Sequence, residues 1–190
     1  GELMATILCF APKVRHESIH PSSNKMEPWD TRHRNYLDIV DLITTSALDE
    51  QVKKNSLDVF HQLATAEAKI HGTTLEQVHF HEVGAIDSIL DIVGFCLGLQ
   101  QLDIERLYNG RLPMAPGTII GAHGKIPLPA PATMEILKGR HTCKGVDNHE
   151  QITPTGAAII SALSQDADFP EFLLESIGYG AGSRNPKEYP

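Results

Sequence analysis

An α+β fold, with helices packed on a mixed sheet in one main domain, is what this sequence predicts, and three observations predict it. Apolar residues recur at helical spacing across most of residues 36–101, while the rest of the chain alternates short apolar runs with glycine and proline. Strand-like and helical stretches do not succeed one another in the regular order of a βαβ repeat. A length of 190 residues suits a single core with a small appendage.

Residues 3–11 read as a leading strand, with Thr6, Ile7, Leu8, Cys9 and Phe10 suited to extended backbone. The run is too short to span a bilayer and lacks the basic leader of a signal peptide. Residues 15–30 are polar and carry Pro21 and Pro28, so residues 1–29 are expected to form a strand and polar linker ahead of a main domain at 30–184. Tyr36, Ile39, Val40, Ile43 and Ala47 mark the buried face of a first helix. Val52, Ser56, Val59, Leu63, Ala66 and Ile70 mark a second, closed by His71 and Gly72. The two are expected to pair as a hairpin on the sheet.

A capping box over residues 73–76 starts one short turn. Residues 77–81 then alternate as a strand, Val78 and Phe80 facing one way and His79 and His81 the other. A third helix is expected over 87–101, burying Ile86, Leu90, Val93 and Leu97. Gly94 and Gly98 in its interior each cost about 1 kcal/mol against alanine, which suggests close backbone packing. Strands are expected at 104–112 and 118–120. Pro131 opens a helix that Gly139 closes, and Thr153-Pro154 opens another through about Leu163. A final strand at 172–179 runs into Gly178, Gly180 and Gly182.

Composition narrows the function. The chain is 41% hydrophobic and 21% charged with a formal charge of −8, which argues against nucleic acid or an anionic membrane as partner. Cys9, Cys96 and Cys143 are odd in number and far apart, so neither a disulfide framework nor a zinc ribbon is indicated, and a cytoplasmic location is expected. Ten histidines draw attention to metals.

The densest candidate cluster is His79-Phe80-His81-Glu82, with Asp87 and Asp91 just beyond it. Strand geometry puts both imidazoles on one face, about 7 Å apart. Two imidazoles and a carboxylate suit a divalent first-row metal. Asp87 and Asp91, four apart, share a helix face and could orient the ligands. The alternative is structural: Asp87 as a helix cap, Asp91 as a surface charge, the histidines on a solvated strand edge. His123, between Gly121-Ala122 and Gly124, is either a third ligand, an acid–base group or a plain turn residue.

A second candidate is the helix start Thr153-Pro154-Thr155-Gly156, whose free N–H groups and two hydroxyls could take a phosphate, with Lys125, Arg140 and Lys144 as nearby charges. Simple capping explains the same residues. The glycines at 178–182 fail the dinucleotide test, since Asn185-Pro186 stands where a helix should begin.

Residues 79–94, HFHEVGAIDSILDIVG, resemble the LarC family of nickel-pincer cofactor biosynthesis proteins. Three more pieces match that family in order: Ile126-Pro127-Leu128-Pro129-Ala130-Pro131-Ala132-Thr133 with Lys138-Gly139, then Thr153-Pro154-Thr155-Gly156-Ala157-Ala158, then Gly178-Tyr179-Gly180-Ala181-Gly182. The likeness covers about residues 30 to 185. It implies a nickel cyclometallase of the lyase class that inserts Ni²⁺ into pyridinium-3,5-bisthiocarboxylic acid mononucleotide. CTP is consumed with Mn²⁺ or Mg²⁺, and the product serves lactate racemase. The resemblance identifies the motifs and gives the histidine–carboxylate cluster and the Thr153 helix start a task. The expectation for single residues is metal ligation by His79, His81, Glu82, Asp87 and Asp91, catalysis by His81, Glu82 and His123, and substrate phosphate at Thr153, Thr155 and Gly156.

The family's early D-C-F-S-G-x-x-G-D-M segment has no counterpart here. Residues 185–190 are expected to be a tail leading to a carboxy-terminal domain that holds the CTP site. The protein partner is then a second copy of the chain or that separate domain. Two alternatives stand beside the enzyme: a non-catalytic metal- or nucleotide-binding half of a two-piece enzyme, and a metal-dependent hydrolase.

Overall fold

The computed structural model describes residues 34–80, 86–121, 124–145, 149–167 and 173. The expected strands at 3–11 and 172–179, the linker and the glycine run lie outside them.

Helix α1 spans Tyr36–Thr45. Its start is fixed by a reciprocal cap: Asp38 N donates to Asn35 Oδ1 at 2.8 Å, and Asn35 N donates to Asp38 Oδ2 at 3.1 Å. Ile39 and Ile43 are its buried anchors, while Ala47 of the expected stripe lies beyond the helix end and is exposed. Helix α2, Glu50–His71, is capped by Asp49 through Gln51 N at 2.8 Å. It ends at Gly72, whose φ of 61° is the left-handed conformation that favours glycine. Val52, Ser56, Val59, Leu63 and Ala66 are buried as expected, whereas Ile70 is exposed.

Helix α2 is the centre of the molecule. It packs against α1, against α3 (Ile86–Gln101), against α4 (Pro131–Ile136) and against α5 (Pro154–Leu163). Among the described residues, the hairpin of α1 and α2 buries its apolar face chiefly against other helices. Phe60 and Phe80 meet inside this core with ring centroids 6.4 Å apart, a tilted contact typical of aromatic pairs.

Helix α3 is rotated from the expected face. Ser88, Ile89, Ile92 and Cys96 are buried, and Leu90 is 56% exposed. The helix is apolar nearly all round, so spacing alone could not choose its inner side; packing on α2 did. A methyl group built on Gly94 or Gly98 meets nothing within 4 Å. Among the described residues, then, none packs closely on either glycine.

The strands are short and pair as three ladders. β1 (Leu107–Asn109) runs parallel to β6 (Ser164–Asp166), and β2 (Leu112–Met114) parallel to β5 (Thr142–Lys144). β3 (Gly117–Gly121) and β4 (Gly124–Leu128) form an antiparallel hairpin. The single strand expected at 104–112 is thus two, interrupted at Gly110-Arg111, each with its own partner. Both parallel and antiparallel pairing occur beside packed helices, so the α+β class holds. No helix among the described residues is long and apolar enough to cross a membrane.

Candidate functional site

The segment that leads to the histidine cluster is not a regular strand. Leu75–Gln77 form one 3-10 turn, with Thr74 at its cap making no side-chain cap bond, so the expected capping box does not form. Beyond the turn, His79 makes a single antiparallel bridge with Asn35, secured by a hydrogen bond from Tyr36 N to Val78 O at 3.3 Å. The alternation still holds. Val78 and Phe80 are each 1% exposed, and His79 between them faces solvent. Two buried anchors thus fix the backbone on either side of one outward imidazole.

His81, Glu82 and His123 lie outside the described residues. Asp87 and Asp91 are both exposed on the first turns of α3, on the side away from Ile89 and Ile92. Asp87 is the second residue of the helix, and its Oδ1 accepts from Ser88 N at 2.9 Å, placing negative charge at the positive end of the helix. Among the described residues, no three His, Cys, Asp or Glu side chains converge as a metal-binding group.

On the opposite strand of the bridge, Tyr36 turns inward. Its hydroxyl lies 3.3 Å from His61 Nδ1 on α2. Burial, with the charge of Asp58 adding to it, pushes the phenol above its ordinary value.

The second candidate forms as the sequence predicts: Thr153 caps α5, with Gly156 N donating to its Oγ1 at 3.1 Å, and Pro154 fills the first position. The cap uses the Gly156 N–H, and proline has none. Thr155 therefore offers the remaining amide of this first turn, alongside its own hydroxyl and that of Thr153. Arg140 is not available to a ligand there. Its Nη2 donates to the carbonyls of Ile160, Ser161 and Ser164 at 2.9–3.2 Å. Those carbonyls close the far end of α5, about 15 Å from Thr153 by helix rise. Lys125 and Lys144 are exposed on β4 and β5.

Just before that helix start, Gln151 and Ile152 border a cavity of about 10 Å³ with Pro113, Met114, Leu128 and Pro129. That is room for one water and not for a nucleotide. The residues that sequence reading missed are Asn35, opposite His79, and the carbonyl clamp of Arg140. The Asn35-x-x-Asp38 spacing was a legible cap signal for the first; nothing local announces the second.

Comparison with known proteins adds a chain-wide result. Residues 6–190 match the model of the nickel insertion protein family. A putative nickel insertion protein of Geotalea daltonii is 48% identical over 162 residues, covering 85% of this chain and 42% of the relative. The pyridinium-3,5-bisthiocarboxylic acid mononucleotide nickel insertion protein of Geobacillus kaustophilus is 47% identical over 162 residues, covering 83% of this chain and 39% of the relative. The protein of the same name from Staphylococcus epidermidis is 44% identical over 180 residues, covering 94% and 45%. The chain thus spans about two-fifths of the length of these curated relatives. No solved structure matches it.

Proposed function

Because the chain belongs to the nickel insertion protein family, we propose that it forms the metal- and substrate-handling part of a nickel cyclometallase. On this reading the substrate is pyridinium-3,5-bisthiocarboxylic acid mononucleotide, the substance named for the relatives. The finer points rest on the family resemblance: a CTP-dependent reaction of the lyase class with Mn²⁺ or Mg²⁺, a cytoplasmic setting, and a product used by lactate racemase.

His79, His81 and Glu82 hold the incoming nickel, and Asp87 and Asp91 orient them. Forming a nickel–carbon bond releases the ring proton, which His123 or the unligated oxygen of Glu82 accepts, while His81 acts from the nickel's ligand shell. Thr153, Thr155 and Gly156 receive the substrate phosphate at the head of α5. One observation carries the metal assignment furthest: the exposed His79 is held between the buried Val78 and Phe80, so its backbone is fixed before any ligand arrives.

Calorimetric titration with Ni²⁺ tests the reading. The chain is expected to bind about one nickel, and the double variant His79→Ala, His81→Ala to lose it. Unchanged affinity in that variant removes the assignment. The phosphate site has its own test: Thr153→Ala weakens mononucleotide binding more than Thr153→Ser, which keeps both cap and hydroxyl. Because the chain spans only part of its relatives, mixing it with a separately expressed carboxy-terminal domain and CTP separates a self-sufficient enzyme from one half of a pair.

A further inference from the structure

The geometry points to Asn35 as the positioning residue of His79: the cap of α1 also holds the imidazole in the orientation that nickel requires. This inference rests on the reading of His79 as a nickel ligand.

Three features carry it. The first is pairing. The bond from Tyr36 N to Val78 O flanks the bridge, which makes Asn35 and His79 a non-hydrogen-bonded antiparallel pair. In such pairs the two side chains stand on the same face, with Cβ atoms about 4.5–5.5 Å apart. The second is pre-organisation. Asn35 is not a free surface amide, because its Oδ1 accepts from Asp38 N at 2.8 Å while Asp38 Oδ2 accepts from Asn35 N at 3.1 Å. The carboxamide is therefore locked in one rotamer by the first turn of α1. The third is spare capacity. A carbonyl oxygen accepts two hydrogen bonds, and among the described residues Oδ1 receives one.

The chemistry fits that second lone pair. A neutral imidazole that binds a metal through one nitrogen carries N–H on the other, and that N–H needs an oxygen acceptor to fix the tautomer and the ring plane. Asn35 Oδ1 is an acceptor fixed by the α1 cap on the same face of the bridge as the ring. The positioning is indirect: Asn35 serves the imidazole N–H and does not ligate the nickel.

Two substitutions separate positioning from capping. Asn35→Ser keeps an N-cap of equal quality, but its oxygen is one atom shorter and cannot serve Asp38 N and the imidazole together. Asn35→Asp keeps an oxygen at each place. Calorimetry with Ni²⁺ is expected to show a 10- to 100-fold loss of affinity for Asn35→Ser, at an unchanged melting temperature, and recovery for Asn35→Asp. Wild-type affinity in Asn35→Ser, with binding abolished in His79→Ala, overturns the role of Asn35 alone. Wild-type affinity in His79→Ala overturns both this inference and the ligand assignment beneath it.

Discussion

Arg140 Nη1 lies 2.8 Å from Asp166 Oδ1, and the same guanidinium closes the last turn of α5 through its other nitrogen. Asp166 also accepts from Asn109 Nδ2 at 2.8 Å. One side chain thus joins the loop after α4, the end of α5, and the β1–β6 ladder.

Removing that fork costs stability. Arg140→Ala is expected to destabilise the chain by about 1.5–3 kcal/mol, the range for hydrogen bonds to a charged group. Arg140→Lys recovers less than half, because an ammonium cannot serve a carboxylate and a row of carbonyls from one planar fork. Urea midpoints measure both. The pH dependence has a definite sign. Burial opposes ionisation of Asp166, but the hydrogen bonds from Asn109 and Arg140, with the Arg140 charge, outweigh it and hold the carboxyl below its ordinary value. Its contribution is therefore full above the unfolded carboxyl pKa, about 3.9, and is lost as pH falls through the lower folded value. Asp166→Asn should flatten that part of the acid-unfolding curve; an unaltered curve counts against the pair.

Gly94 and Gly98 are expected to be improvable. No described residue lies within 4 Å of either Cβ position, and both lie inside α3. Gly94→Ala and Gly98→Ala should each raise stability by up to about 1 kcal/mol through helix propensity. A loss in thermal midpoint for either would mean that a neighbour approaches the helix there.

Phe80 links the core to the candidate site. Phe80→Ala should cost about 3–5 kcal/mol as a buried aromatic truncation. Combined with Phe60→Ala, the losses should fall short of additivity by roughly 0.5–1.5 kcal/mol, the worth of an aromatic pair. A double-mutant cycle in urea reads this directly, and strict additivity would mean the two rings do not act as a pair.

Much of the fold was legible because its signals are local. Gly72 ends α2, Pro131 opens α4, and Thr153-Pro154 opens α5 at the residues expected, since caps depend on three or four neighbouring residues. The period-two pattern of Val78, His79 and Phe80 gave the facing of each side chain correctly; among the described residues the backbone there makes a single bridge. Of the candidate site, the outward facing of His79 and the cap at Thr153 were legible in the sequence.

The features that stayed hidden required partners distant in the chain. The sequence by itself determined where α2 stops, where α4 and α5 start, and which side of residues 78–80 is apolar, because steric and hydrogen-bonding preferences of adjacent residues decide these. Only the tertiary structure decided the inner face of α3, an almost uniformly apolar helix that turns toward whatever packs on it. It also decided that Ser164, Gln165 and Asp166 form a strand: their polar side chains carry no strand signal, and the ladder forms because β1, some 55 residues earlier, supplies the pairing edge. The meeting of Asn35 with His79 has the same origin, a backbone bridge across α1 and α2 whose energy comes from burying Val78 and Phe80 in the helical core.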